Sequence, residues 1–216
     1  PLGSIKPKGM LYTMLDLQRT NLSSNVDSVY SFICGPRNAW IGGDGDCWER
    51  GPYWIDGLVP LAYILNDDNL KAKAQKWIDY TLNNQREDGY IGTIPYTTEP
   101  KAEPGMQKFM PEDWWPRMVM LKILMQYYDA TKDKRVIDVL IKYFKYQYQQ
   151  LPINPLGKWT FWGAQRGGDN LQVVLWLYNI TGDKFLLELG EIIHNQTTSW
   201  FAYYMDGTLA KRNPYA

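Results

Sequence analysis

The chain has 216 residues, 45% hydrophobic and 21% charged, which is enough apolar sequence to fold around one sizeable core. Its 23 basic and 23 acidic side chains balance, and no run of lysine or arginine forms a positive patch, which argues against nucleic-acid and anionic-membrane partners. No stretch reaches the roughly 18 consecutive apolar residues of a membrane-spanning helix.

Tryptophan and tyrosine are unusually frequent, with 10 and 16 copies. Their flat apolar rings with a polar edge suit sugar-binding sites, although many such rings also pack in cores. The composition therefore predicts a carbohydrate substrate as the partner.

Residues 1–4 read PLGS, which is typical of a cleavage remnant of an expression tag. We therefore expect the natural sequence to occupy residues 5–216. The two cysteines, Cys34 and Cys47, could pair, but their spacing fits no zinc or redox motif.

The first long loop, residues 34–53, is rich in glycine and presents several polar groups together. Asp44, Asp46 and Glu49 lie on it beside Trp48, a combination suited to binding sugar hydroxyls. The alternatives are an ordinary turn-rich loop that packs its tryptophans and a calcium loop, whose glutamate would have to lie later.

An inner helix is predicted over residues 54–65, and Pro60 should kink it or shift its start towards Gly57. The next helix, residues 69–84, has a single apolar stripe and is predicted to lie on the outside.

The second long loop, residues 85–116, ends in a polar and aromatic cluster. Asp113 is either an N-cap or a site residue, and Pro116 suits the first turn of a helix. Two adjacent tryptophans are hard to bury together, so at least one of Trp114 and Trp115 is expected to be exposed and to stack on a sugar.

Residues 118–128 are apolar nearly all round and predict a second inner helix, which residues 134–150 follow as a one-sided outer helix. The third long loop, residues 151–168, leads to Arg166, Asp169 and Asn170, which are candidates for hydrogen bonds to hydroxyls.

A third inner helix is predicted over residues 171–178 and a third outer helix over residues 184–200. The lone histidine, His194, falls at the register of Ile78 and Phe144 on the other outer helices. It is therefore predicted to be structural.

Three similar turns join these helix pairs, after Tyr63, Tyr128 and Tyr178, and each is followed by an aspartate predicted to be an N-cap: Asp67, Asp133 and Asp183. Alternating buried and one-sided helices predict an all-α toroid of helical hairpins, with a helical solenoid as the alternative. Three outer helices make about half of an (α/α)6 barrel. An open half-ring is expected to expose Leu121, Leu124, Val174 and Leu177 and to self-associate.

All the long loops enter inner helices, so they should meet at one end of the toroid and carry the functional residues. The candidate substrate contacts are Asp44, Asp46, Trp48, Glu49, Trp114, Trp115, Arg166, Asp169 and Asn170. The sequence has no Ser-His-Asp arrangement, phosphate loop or metal cluster, so acid-base chemistry is assigned to carboxylates, with Asp46, Glu49 and Asp169 as candidates.

Four motifs resemble the bacterial glycoside hydrolase family of β-L-arabinofuranosidases. They are WERGPYWIDGLVPLAY at residues 48–63, NNQREDGYIG at 83–92, DWWPRM at 113–118 and RGGDN at 166–170. The resemblance implies the N-terminal part of an (α/α)6 catalytic barrel that acts on plant cell-wall glycans, in a periplasmic or extracellular location.

Family members are described as retaining hydrolases with a zinc-bound cysteine nucleophile and a glutamic acid/base further along the chain. Cys34 and Cys47 do not occupy that motif, so no cofactor is expected here, and zinc would belong to the complete family enzyme. Two other functions stay open: a non-catalytic sugar-binding or scaffold module, and a uronyl hydrolase or lyase that clamps an acidic sugar with Arg50 and Arg166.

Overall fold

Helices account for all the regular secondary structure in the computed structural model, which describes residues 1–93 and 111–205. The helices are α1 (Gly9–Thr20), α2 (Leu22–Val29), α3 (Arg50–Leu65), α4 (Asp68–Asn83), α5 (Trp114–Thr131), α6 (Arg135–Gln150), α7 (Phe161–Gln165), α8 (Gly167–Thr181), α9 (Phe185–Gln196) and α10 (Trp200–Met205), with a 3-10 turn at Ala39–Ile41. Most of the predicted loop 85–116 and the tail from Asp206 lie outside the described residues. No described helix is long and apolar enough to cross a membrane.

Three helical hairpins lie side by side in chain order, which confirms the predicted toroid architecture. The inner helices α3, α5 and α8 pack in sequence, and the outer helices α4, α6 and α9 return along them. The N-terminal helices α1 and α2 pack against α3. The described residues thus supply three of the six hairpins of an (α/α)6 barrel.

The burial of α5 and α6 follows their sequence patterns. Helix α5 buries side chains all round its first three turns, from Trp114 to Leu124, whereas α6 buries one stripe that includes Val136, Leu140 and Phe144. An all-round apolar helix needs neighbours on every side, and α5 has them because it lies between α3 and α8.

The predicted unpartnered inner face is wrong. Leu121, Leu124, Val174 and Leu177 are all fully buried, because inward positions of each inner helix already pack against the neighbouring hairpins. Exposed apolar side chains lie instead on the last hairpin, at Leu175, Ile180 and Leu187, and on the N-terminal helices, at positions such as Met10, Leu17 and Val29.

The three hairpin turns share a left-handed residue, which ends the inner helix so that the chain can reverse. These residues are Asn66, Lys132 and Gly182. The predicted cap is confirmed at Asp67, which accepts from the Leu70 amide (3.0 Å). At Asp133 the predicted cap is one residue too early, because Lys134 is the N-cap of α6, although the Asp133 side chain does accept from the Arg135 amide (3.0 Å).

At Asp183 the predicted side-chain cap is wrong: Lys184 is the N-cap of α9, and no side chain caps that helix.

Helix α3 starts earlier than predicted, at Arg50, and runs through Pro60 without a shift towards Gly57. The third residue of the helix is Pro52, and the first-turn amides of a helix have no partner within it, so Pro52 loses no hydrogen bond there.

The predicted register of His194 is also wrong. Ile193 takes the inward position, and His194 faces outward on α9, the last outer helix of the described residues.

Candidate functional site

The three long loops meet at one end of the hairpins, and a single carboxylate ties them together. Asp113 Oδ2 accepts hydrogen bonds from Trp48 Nε1 (2.8 Å) and Thr160 Oγ1 (2.9 Å), while Asp113 Oδ1 accepts from the Trp115 amide (3.2 Å). Asp113 is 1% exposed and caps α5, so the cap reading of this residue is the correct one. The prediction that these loops share one rim is confirmed.

The start of α5 is also held by Arg117, which is buried without a carboxylate partner in the described residues. Its guanidinium donates to the carbonyls of Asp113 (3.2 Å) and Glu112 and lies 4.3 Å from the ring centroid of Trp114. Carbonyl oxygens and an aromatic face thus take the place of a counter-ion.

Both tryptophans at this helix start are buried, so the expected exposure of one of them is wrong. Trp114 and Trp115 are 1% and 3% exposed. Each indole N–H has its own partner: Trp114 Nε1 donates to the Asn154 carbonyl (2.9 Å), and Trp115 Nε1 donates to Glu49 Oε2. Adjacent tryptophans can be buried together here because their rings have separate partners.

Trp115 forms the floor of a small cavity, which we call the inner pocket. Tyr53 meets the Trp115 ring edge-on at 5.8 Å, and the Arg166 guanidinium lies 5.4 Å from its centroid. The cavity has a volume of about 130 Å³ and is lined by Tyr53, Asp56, Trp115, Met118, Val119, Lys122, Arg166 and Asp169. All three inner helices contribute, since Asp169 lies on α8 and Arg166 immediately precedes that helix.

The inner pocket is lined by two cationic side chains, Lys122 and Arg166, and by two carboxylates that differ in their hydrogen-bond partners, Asp56 and Asp169. Asp56 binds Lys122 Nζ (2.9 Å) and accepts from Gln126 Nε2 (2.6 Å). Asp169 has neither an ion pair nor a side-chain hydrogen bond within residues 1–93 and 111–205. Its oxygens are therefore available to a ligand.

Burial raises the pKa of Asp169, and the charges of Arg166 and Lys122 oppose that rise. Burial also raises the pKa of Glu49, against the hydrogen bond from Trp115, while Asp113 and Asp46 add to the rise. Both carboxyl groups therefore hold their protons to a higher pH than a solvated acid, a property that acid-base catalysts use.

Of the predicted site residues, the structure brings Trp115, Arg166 and Asp169 together in the inner pocket and places Glu49 beside it through Trp115. Trp48 and Trp114 are wrong as sugar contacts, because they are buried with their indole groups paired to protein.

Two further predicted contacts serve the protein's own packing. Asp46 is 2% exposed and pairs with Arg50 (2.7 Å), so this ion pair holds the end of the loop of residues 34–53. Asn170 is fully buried in a reciprocal amide pair with Gln147 (3.2 and 3.0 Å). Both predictions are wrong because these groups are enclosed within the fold.

Asp44 pairs with Arg37 (2.9 Å) on an exposed loop and does not line the inner pocket. Its assignment as a sugar contact stays a prediction, and in the structure its carboxylate fixes the turn that carries it.

The sequence analysis missed Tyr53, Asp56 and Lys122. A helical signal would have found them: Glu49, Tyr53 and Asp56 are spaced four and three residues apart, so they share one face of an otherwise apolar helix. Lys122 follows Trp115 by seven residues, or about two turns, so the two residues share one face of α5. Polar residues at this spacing on the inner helices therefore share the face that lines the inner pocket.

Two glycines set the close approaches that position the rim. A Cβ on Gly51 would lie 2.5 Å from Asn38 Nδ2, and one on Gly167 would lie 1.9 Å from Thr197 Oγ1. These helix starts can pack so closely only without a side chain, and Tyr53 and Asp169 each lie two residues after one of the glycines.

The described residues do not fit a zinc-thiolate centre. No group of three or more potential ligands comes together in the ranges 1–93 and 111–205. Cys34 and Cys47 are buried and are not joined in a disulfide, and burial foremost raises the pKa of Cys34 to about 12, which keeps it protonated.

A larger cavity of about 470 Å³ lies between residues 1–7 and α1. Its lining has no titratable side chain and includes residues 1–4, so it is not a candidate for acid-base chemistry.

A family model described as the GH127 catalytic domain of β-L-arabinofuranosidases matches residues 11–209. No curated protein and no solved structure matches the chain.

Proposed function

We propose, from the premise that this chain belongs to the family of β-L-arabinofuranosidase GH127 catalytic domains, that its inner pocket binds the terminal sugar of a plant cell-wall glycan. The family is one of glycoside hydrolases, and hydrolysis of the bond to that terminal sugar is the proposed reaction. The three hairpins are the proposed N-terminal portion of the catalytic barrel.

The unpaired carboxylate of Asp169 is the observation that carries the proposal. Partial burial without a donor from the described residues disfavours the ionised carboxylate of Asp169, and sugar hydroxyls supply donors. Arg166 and Lys122 offer donors to the sugar oxygens, and the edges of Tyr53 and Trp115 provide apolar contact. A volume of about 130 Å³ is below the roughly 300 to 1,000 Å³ of pockets that enclose drug-sized ligands, which favours a single sugar ring.

The carboxylate candidates for proton transfer narrow to two in the described residues. Asp46 is sealed from ligand by burial, whereas Asp169 lines the pocket and Glu49 adjoins it. In this proposal Asp169 is the proton-transfer candidate that can reach the sugar, because it lines the pocket, whereas Glu49 positions the Trp115 indole by accepting its N–H.

Titration calorimetry with L-arabinose tests the proposal, using the parent, Asp169→Asn and the control Asp44→Asn. Loss of a hydrogen bond to a charged group costs about 1.5–3 kcal/mol, so Asp169→Asn should weaken binding by about ten-fold or more. Asp44 lies outside the pocket, so its variant should bind like the parent. Equal affinity in all three proteins would show that the sugar site is elsewhere.

The predicted acidic-sugar clamp is not formed. Arg50 is committed to Asp46 outside the pocket, and only Arg166 of the proposed pair lines it. The non-catalytic alternative is separated from hydrolysis by kinetics on the full-length protein with aryl β-L-arabinofuranosides: turnover supports the enzyme, and sugar binding without turnover supports the binding module.

A further inference from the structure

A second cavity opens next to the inner pocket, and aromatic rings line most of it. This outer pocket has a volume of about 430 Å³ and is lined by Phe161, Trp162, Gln165, Arg166 and Trp200. The three aromatic side chains are 61%, 36% and 42% exposed, in that order. Exposed rings gathered around one cavity differ from the buried tryptophans at the start of α5.

These rings are held in place by protein contacts that leave ring surface free. Phe161 and Trp162 lie 4.4 Å apart between centroids on the short helix α7. Trp200 Nε1 donates to the Gln165 carbonyl (3.1 Å), which satisfies its polar edge and orients the ring. The outer pocket is therefore preorganised, and a ligand that stacks on it pays little ordering entropy.

Arg166 connects the two pockets. Its guanidinium lies 5.4 Å from the Trp115 centroid on the inner side and 5.8 Å from the Trp162 centroid on the outer side. Within the described residues it has no ion pair, so its fixed fork of donors can reach oxygens in either pocket. One ligand can therefore occupy both cavities under a single cation.

We propose that the outer pocket is a second sugar subsite, which binds the next ring of the glycan whose terminal sugar occupies the inner pocket. Stacked aromatic faces with amide and guanidinium groups at the edge match a sugar ring, which has apolar C–H faces and hydroxyls around its rim. The volume of about 430 Å³ falls within the roughly 300 to 1,000 Å³ of ligand pockets. The assignment of this ring as the second one rests on the proposed function of the inner pocket.

The test compares arabinobiose with L-arabinose by titration calorimetry on the full chain. Trp162→Ala and Trp200→Ala should each weaken arabinobiose binding by about ten-fold and leave L-arabinose binding unchanged. Phe201→Ala is the matched control, since Phe201 is 76% exposed on α10 but does not line the cavity, and it should change neither affinity. Trp162→Tyr keeps an aromatic face and should retain most of the affinity, which covers the case in which an alanine variant fails to fold.

The outcomes separate this inference from the proposed function. If the disaccharide binds no more tightly than the monosaccharide, while Asp169→Asn abolishes both, the inner site stands and the outer subsite is refuted. If disaccharide binding needs Trp162 but not Asp169, the outer subsite stands and the inner assignment fails. If neither sugar binds, or if the tryptophan variants change only the oligomeric state in light scattering, the outer pocket is a protein contact and the inference is overturned.

Discussion

Replacement of Asp113 by asparagine should destabilise the fold by about 1–3 kcal/mol, because it breaks the junction of the three rim loops. Asparagine can keep the Oδ1 cap on the Trp115 amide, but its NH2 group then faces the Trp48 indole N–H, which is buried and cannot turn away. A buried donor left without an acceptor costs about 1–3 kcal/mol. The Thr160 hydroxyl can rotate to accept, so it adds little.

Alanine at the same position removes the cap as well, at about 1 kcal/mol more, so the order of stability should be parent, Asp113→Asn, Asp113→Ala. Urea unfolding followed by circular dichroism measures the differences. Asp183→Asn is the matched control, because Asp183 starts an equivalent hairpin helix but makes no side-chain cap bond, and it should stay within about 0.5 kcal/mol of the parent.

A double-mutant cycle sharpens this test. Trp48→Phe removes the indole donor, so Asp113→Asn should cost less in that background, with a coupling of about 0.5–3 kcal/mol. Additive effects of the two substitutions, or parent-like stability of Asp113→Ala, would refute the view that this carboxylate holds the rim together.

Three other predictions concern the pocket and the assembly. Asp169→Asn should raise Tm at pH 7 but not at pH 3. The pKa of Asp169 is higher in the folded than in the unfolded state, where it is near 4, so the ionised acid destabilises the fold increasingly as pH rises above about 4. An equal Tm difference at both pH values would contradict this. Trp115→Phe removes the bond that lowers the pKa of Glu49, so carbon-13 NMR titration should show a higher pKa, and an unchanged pKa would count against the contact. This chain alone should show no turnover of aryl arabinofuranosides. It should also form dimers or larger species in light scattering, through exposed apolar side chains such as Leu175 and Ile180. A monomer whose zinc-independent hydrolysis is abolished by Asp169→Ala would contradict both statements.

The toroid was predictable because inner and outer helices impose different periodicities on the sequence. An outer helix such as α6 shows one apolar stripe, while α5 is apolar all round, and neither pattern depends on distant residues. Exposure at the end of the array was not predictable. Whether Leu175 is covered depends on what packs next to the last hairpin, and local periodicity does not contain that information.

The site was predictable in its location but only partly in its members. The long loops indicated the end at which the candidate inner pocket lies, and Arg166 and Asp169 do line that pocket. Polar residue type alone could not separate a ligand contact from a structural bond. Asn170 is adjacent in sequence to Asp169, yet it faces Gln147 inside the fold, because neighbouring positions on a helix point about 100° apart.

Hydrogen-bond partners make the separation that residue type could not. Asp113 and Asp169 lie at the starts of two neighbouring inner helices, and both are withdrawn from solvent to some degree. Asp113 receives three donors from the protein, so a ligand has nothing to add to it. Asp169 receives none from the described residues, although its burial disfavours the ionised form. Asp169 therefore has hydrogen-bonding capacity that the described protein groups leave unused, which makes it, and not Asp113, the candidate for a ligand contact at this rim.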